Sequence, residues 1–102
     1  MRLKDKVAIV TGGGSGIGRG ICEKFAAEGA SVAVADVNTA NAEKVAEAIG
    51  KNRGRAMPVT VDVRDKAQVG AMVDAVVKAF GGVDILVNNA GTRCTKPFLD
   101  HT

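Results

Sequence analysis

Five glycines fall within seven residues of this chain, in the stretch Thr11-Gly12-Gly13-Gly14-Ser15-Gly16-Ile17-Gly18. Such a stretch offers bare backbone rather than an acid or a base. Glycine allows a tight turn and removes the Cβ that would keep a ligand away from the main chain. The apolar run Val7-Ala8-Ile9-Val10 before it reads as a strand, and Ile17, Ile21 and Phe25 after it are spaced as one face of a helix. A helix that starts at such a turn aims unpaired N–H groups and a partial positive charge at it. The chemistry implied is phosphate binding, at a nucleotide-holding strand-to-helix turn. Gly12, Gly16 and Gly18 give G-x-x-x-G-x-G, which differs from the common G-x-G-x-x-G, and no Lys-Ser/Thr pair follows as in a P-loop.

Asp36 lies 18 positions beyond Gly18, at the end of a second apolar run, Ser31-Val32-Ala33-Val34-Ala35. A carboxylate there can accept from the hydroxyls of an adenosine ribose. It would repel a 2′-phosphate, and neither Ser15 nor Val37 supplies a cation to offset it, so NAD is expected over NADP. Arg19, in the first helical turn, reads equally as a phosphate contact or as a solvated surface residue. Asp62-Val63 follows a third apolar run. Its carboxylate reads either as an acceptor for an adenine amino group, with Val63 packed on the ring, or as a turn or capping residue. Cys22 falls beside the first helical stripe and reads as a core thiol. Cys94, Asp100 and His101 lie in a tail without pattern, and no nucleophile accompanies the Asp-His pair.

The elements that must position these residues alternate regularly. Strands are expected at Val7–Thr11, Ser31–Asp36, Met57–Val61 and Val83–Val87, with Pro58 marking the third as an edge strand. Helices are expected from Ile17 to about Glu28, from a cap at Asn38 or Thr39 to an end bracketed by Gly50 and Gly54, and from a cap at Asp65 to Phe80. The second helix has the apolar face Ala42, Val45, Ala46 and Ile49. The third has Val69, Met72, Val73, Val76, Val77 and Phe80. This β-α-β-α-β-α-β order predicts an α/β fold, a Rossmann-like doubly wound parallel sheet with strands in the order 3-2-1-4. The glycine turn and the turn Asn88-Asn89-Ala90-Gly91 then end the two strands between which the order reverses, where such sheets bind ligands.

With 102 residues the chain is one domain or part of one. Its 46% hydrophobic and 25% charged residues are those of a globular protein, and the net charge of +3 is spread without a basic run, so no nucleic-acid partner is implied. No segment reads as a signal peptide or a membrane span. Two cysteines make neither a disulfide framework nor a zinc site, so a cytoplasmic location and no metal are expected.

The motif Thr11-Gly12-x-x-x-Gly16-Ile17-Gly18, Asp36, Asp62-Val63 and Asp84-Ile85-Leu86-Val87-Asn88-Asn89-Ala90-Gly91 together resemble the short-chain dehydrogenase/reductase family, from about Lys6 to about Leu99. The overall likeness is to 3-oxoacyl-thioester reductases and related alcohol dehydrogenases. The resemblance implies that Gly12, Ser15, Gly16, Ile17 and Gly18 hold a pyrophosphate, Asp36 the adenosine ribose, and Asp62 and Val63 the adenine. It implies that Asn88, Asn89, Ala90 and Gly91 steady the sheet and touch the nicotinamide-side ribose. The implied activity is hydride transfer between a nicotinamide and an alcohol or carbonyl substrate, in an enzyme expected to be a homo-oligomer. The family's catalytic Ser and Tyr-x-x-x-Lys have no counterpart here: the chain has no Tyr, and its serines are Ser15 and Ser31. Residues 1–102 therefore read as the cofactor-binding part, truncated after the Asn-Asn-Ala-Gly turn, inactive alone and a poor free monomer. A free-standing nucleotide-binding module is the alternative.

Overall fold

The computed structural model describes residues 3–14 and 16–89. Four strands and three helices alternate: β1 Val7–Thr11, α1 Gly16–Ala27, β2 Ser31–Asp36, α2 Thr39–Lys51, β3 Arg55–Thr60, α3 Lys66–Phe80 and β4 Ile85–Asn88. The sheet is parallel throughout, in the order β3-β2-β1-β4. The expected doubly wound, Rossmann-like order is therefore the observed one.

Burial on both faces explains why β1 and β2 read as unbroken apolar runs. Val10, Val32 and Val34 pack with Cys22 of α1 and with Ala42, Val45, Ala46 and Ile49 of α2. Val7, Ile9, Ala33 and Ala35 pack on the opposite face with Met72 and Val76 of α3. Two helices thus cover one face and one covers the other. Among the described residues, β4 pairs with β1 and has no strand on its other side.

Helix boundaries follow side-chain capping. Asn38, not Thr39, caps α2, its Oδ1 accepting from Asn41 N–H at 3.0 Å. Asp65 caps α3 by accepting from the Ala67 and Gln68 amides. α2 runs through Gly50 to Lys51, and the left-handed residue after it is Arg53, with φ of 67°.

Four sequence expectations shift. β3 begins at Arg55 rather than Met57, because its pairing with β2 starts at Ser31 opposite Arg55. On an edge strand such a residue is exposed and leaves no apolar signal. β4 begins at Ile85 rather than Val83, because Asp84 ties the strand entries together through both its side chain and its backbone: Val7 N–H donates to Asp84 Oδ2 at 2.8 Å, and Asp84 N–H donates to the Val7 carbonyl at 2.8 Å. The buried face of α1 is centred on Gly18 and Cys22, with Ile21 and Phe25 at its margin, so Ile17 is not a core residue and stands 73% exposed. Val77 of α3 is likewise 43% exposed.

Candidate functional site

Every parallel strand delivers its carboxyl end to the same edge of the sheet. Gly12–Gly14 follow β1, Asp36 ends β2, Asp62-Val63 follows β3, and Asn88-Asn89 ends β4. The sheet order reverses between β1 and β4, so the two turns flank the switch point. Ser15, Ala90 and Gly91 lie outside the described residues, as do Cys94, Asp100 and His101.

The glycine turn is held tightly from below. Gly12 and Gly16 have φ of 66° and 58°, left-handed values that strain other residues. Gly13 N–H donates to the Ala35 carbonyl at 3.0 Å, which ties the turn to β2. A Cβ on Gly13 would sit 2.9 Å from Cys22 Sγ, so the buried thiol forms the floor of the turn. Burial above all, and then the charge of Glu23, push the Cys22 pKa up to about 12, so the thiol is an inert packing group. Gly18 lets α1 start close to the turn. A Cβ there would overlap the Gly12 carbonyl oxygen and lie 2.7 Å from its carbon. Nothing lies within 4 Å of where a Gly16 Cβ would be, so the start of α1 opens outward. The first turn of α1 carries no acidic residue, and its leading amides have no intrahelical acceptor.

Thr11 joins the two turns across the switch point. It lies opposite Asn88 in the ladder. Its hydroxyl accepts from Asn89 N–H at 2.9 Å and shares its proton between the Val87 carbonyl at 3.2 Å and Asn88 Oδ1 at 3.1 Å. Asn89 Nδ2 donates to the Gly12 carbonyl at 3.5 Å. Thr11→Val keeps the side-chain shape but strands the Asn89 amide. It is expected to lower unfolding free energy by about 1 kcal/mol, the net contribution of a hydrogen bond whose donor is only half-buried. Denaturant unfolding of the two forms checks this, and an unchanged midpoint would show that the hydroxyl does not hold the turns together.

Among the described residues, Asp36 is the carboxylate that the fold aims at the glycine turn. Its Oδ2 accepts from Gly14 N–H and its Oδ1 from Asn38 N–H, both at 2.9 Å. Its own carbonyl accepts from Val61 N–H at 3.0 Å, which fixes the exit of β3 beside it. A carboxylate offers about four lone-pair sites. Two are taken by the backbone, and two remain for donors from a ligand.

Asp62 and Arg19, each left with two readings, are already engaged. Arg64 holds Asp62 from three directions: its backbone N–H (3.0 Å) and Nε (3.1 Å) reach Oδ1, and its Nη2 reaches Oδ2 (3.0 Å). The Arg64 side chain, followed by its backbone N–H, lowers the Asp62 pKa. The Asp62 amide also donates to Gln68 Oε1 at 2.9 Å, so the residue forms a turn and retains lone-pair capacity on Oδ2. Arg19 Nε pairs with Glu23 Oε2 at 3.0 Å along α1, so its charge is spent on a surface ion pair. Two exposed apolar residues border the edge, Ile17 and Val37, the latter 69% exposed immediately after Asp36. Val37 was not legible as a site feature, and although Thr11 and Gly14 lie in the motif read from the sequence, the bonds by which Thr11 joins the two turns and Gly14 holds Asp36 were not.

These features define a Rossmann-like doubly wound α/β domain with its ligand-facing edge at the β1/β4 switch point. The chain belongs to the short chain dehydrogenase family, whose model matches residues 6–102. It is 53% identical over 90 residues to galactitol 2-dehydrogenase of Agrobacterium fabrum, covering 88% of this chain and 34% of that protein. It is 46% identical over 96 residues to D-threitol dehydrogenase of Mycolicibacterium smegmatis, covering 94% of this chain and 37% of that one. The crystal structure of a hydroxysteroid dehydrogenase from Escherichia coli superposes with a TM-score of 0.87 at 43% identity, over 89% of this chain and 39% of that chain. The chain thus spans between a third and two fifths of the length of these relatives. Among the described residues, no helix is long and apolar enough to cross a membrane.

Proposed function

We propose that this chain forms the NAD-binding part of a dehydrogenase that interconverts a small alcohol and its carbonyl compound. The observation that carries the reading is the Asp36 carboxylate, fixed by two backbone amides and left with two acceptor sites at the mouth of the glycine turn. An adenosine ribose offers two hydroxyl donors, which match two acceptor sites. A 2′-phosphate offers negative charge and no donor. When bound, the nicotinamide supplies the hydride acceptor or donor.

The chain's own residues do the holding. Gly12, Ser15, Gly16, Ile17 and Gly18 bear on the pyrophosphate through the amides at the start of α1. Asp36 reads the adenosine ribose. Val37 and Val63 offer apolar walls for the adenine, with Asp62 at its amino group. Asn88 to Gly91 fix the nicotinamide side. A proton donor or acceptor must also face the substrate. No Tyr occurs in residues 1–102, so we assign the catalytic Ser, Tyr and Lys to residues outside this stretch and expect no turnover from it alone. Names such as galactitol and D-threitol dehydrogenase among the relatives favour a polyol or similar secondary alcohol. A cytoplasmic homo-oligomer completes the proposal.

The test is calorimetric titration of the protein at its natural length with NAD+ and NADP+. NAD+ is expected to bind at least about tenfold more tightly, equivalent to about 1.4 kcal/mol. Equal or tighter binding of NADP+ would refute the assignment.

A further inference from the structure

Gly14 is the turn glycine whose amide and missing side chain both face the Asp36 carboxylate. It is buried, and its N–H donates to Asp36 Oδ2 at 2.9 Å. A Cβ built on it would lie 2.7 Å from that same oxygen, 2.7 Å from Asn41 Cβ and 3.1 Å from the Ala42 amide nitrogen. The backbone therefore touches the ribose-reading carboxylate and the first turn of α2 at once. Of these neighbours, Asn41 and Ala42 are fixed by the helix that Asn38 caps. The carboxylate is the terminus of a flexible side chain and yields when the gap is filled, while the equally short approach to Asn41 Cβ pushes the turn itself away from α2.

We infer that Gly14 is a specificity-determining position, whose amide and missing side chain set where the Asp36 carboxylate sits and so set the choice between a ribose 2′-hydroxyl and a 2′-phosphate. The inference rests on the proposed reading of Asp36. It goes beyond it by placing part of the discrimination in a residue with no side chain. The Gly14 amide, though part of a phosphate-type glycine turn, is spent on the protein's own carboxylate. It neutralises part of that charge and holds one oxygen, which leaves the remaining lone pairs in a fixed place. An added methyl displaces Oδ2 from the amide and swings the carboxylate away from the turn. The ribose diol then loses its acceptor while a 2′-phosphate loses its repulsion.

The experiment is a double-mutant cycle in the protein at its natural length, with NADH and NADPH affinities read from nucleotide fluorescence. Gly14→Ala is expected to weaken NADH binding by about tenfold to hundredfold, the range for losing a hydrogen bond to a charged group, and to weaken NADPH binding much less. In an Asp36→Ala background, Gly14→Ala is expected to leave the NADH/NADPH ratio unchanged, because the group it acts through is gone. An unchanged ratio in Gly14→Ala, or the same shift with and without Asp36, overturns the inference. Identical NADH and NADPH affinities in Asp36→Ala and wild type overturn the nucleotide reading itself, and this inference with it. A measurement that needs no change at Gly14 guards against misfolding. The Gly14 amide should exchange its hydrogen faster in Asp36→Ala than in wild type, and equal rates would show that the bond does not form.

Discussion

Gly18→Ala is expected to destabilise the protein and abolish nucleotide binding, although helix propensity alone gives it the opposite sign. Replacing a helical glycine with alanine ordinarily stabilises by about 1 kcal/mol. At Gly18 the new methyl would overlap the Gly12 carbonyl and lie 2.9 Å from Asn89 Nδ2. Both backbone segments are pinned, Gly12 between β1 and the turn and Asn89 by the hydrogen bond its N–H donates to the Thr11 hydroxyl. Overpacking of this kind costs about 1–3 kcal/mol or more, which exceeds the propensity gain. Relief can come only by moving Gly12 or α1, and either motion spoils the anion-facing turn. Gly20 in the same helix is the control, since nothing lies within 4 Å of where its Cβ would be. Gly20→Ala is expected to stabilise by about 0.5–1 kcal/mol. Urea unfolding of the three forms reads both signs, and a stabilised Gly18→Ala would show that α1 does not approach the turn this closely.

Asp36→Arg is expected to reverse the cofactor preference. The substitution removes the acceptor from the Gly14 and Asn38 amides and puts a cation where a 2′-phosphate would lie. Hydrogen bonds to a charged group contribute about 1.5–3 kcal/mol each, and each 1.4 kcal/mol is about tenfold in affinity. The NAD/NADP affinity ratio should therefore fall by about a hundredfold or more. The lost contact to Asn38 also loosens the start of α2, so a modest drop in stability should accompany the switch. Titration with both nucleotides, alongside a thermal melt, separates the two effects. A ratio that stays constant while stability falls would reduce Asp36 to a helix-entry residue.

Much of this edge was legible because backbone requirements leave marks in sequence. Glycines that turn a strand into a helix, and apolar runs buried on both faces, are visible without coordinates. So the strand order, the glycine turn and the position of Asp36 could be read directly. What was hidden depends on how separate elements meet. The Gly14–Asp36 contact arises because β1 and β2 are paired with Thr11 opposite Ala35, which brings the turn over the next residue of β2. No local pattern encodes that distance. Arg64 engages Asp62 through a side-chain geometry that two charged residues two positions apart do not announce. Arg55 begins β3 on an exposed edge where strand periodicity is silent. Ile17 matched a helical stripe, yet it stands in the first turn of α1, where the glycine turn and not the core is its neighbour.

The central claim is that the carboxyl edge of this sheet binds NAD through the glycine turn and Asp36. Hydrogen exchange of the protein at its natural length, with and without saturating NAD+, tests it most directly. The account predicts slowed exchange concentrated in residues 12–18, at 36–38 and at 88–89, with the opposite, amino edge of the sheet around Lys6, Ser31 and Asp84 unchanged. Protection confined to that opposite edge, or none at any of these positions under saturating NAD+, would contradict it.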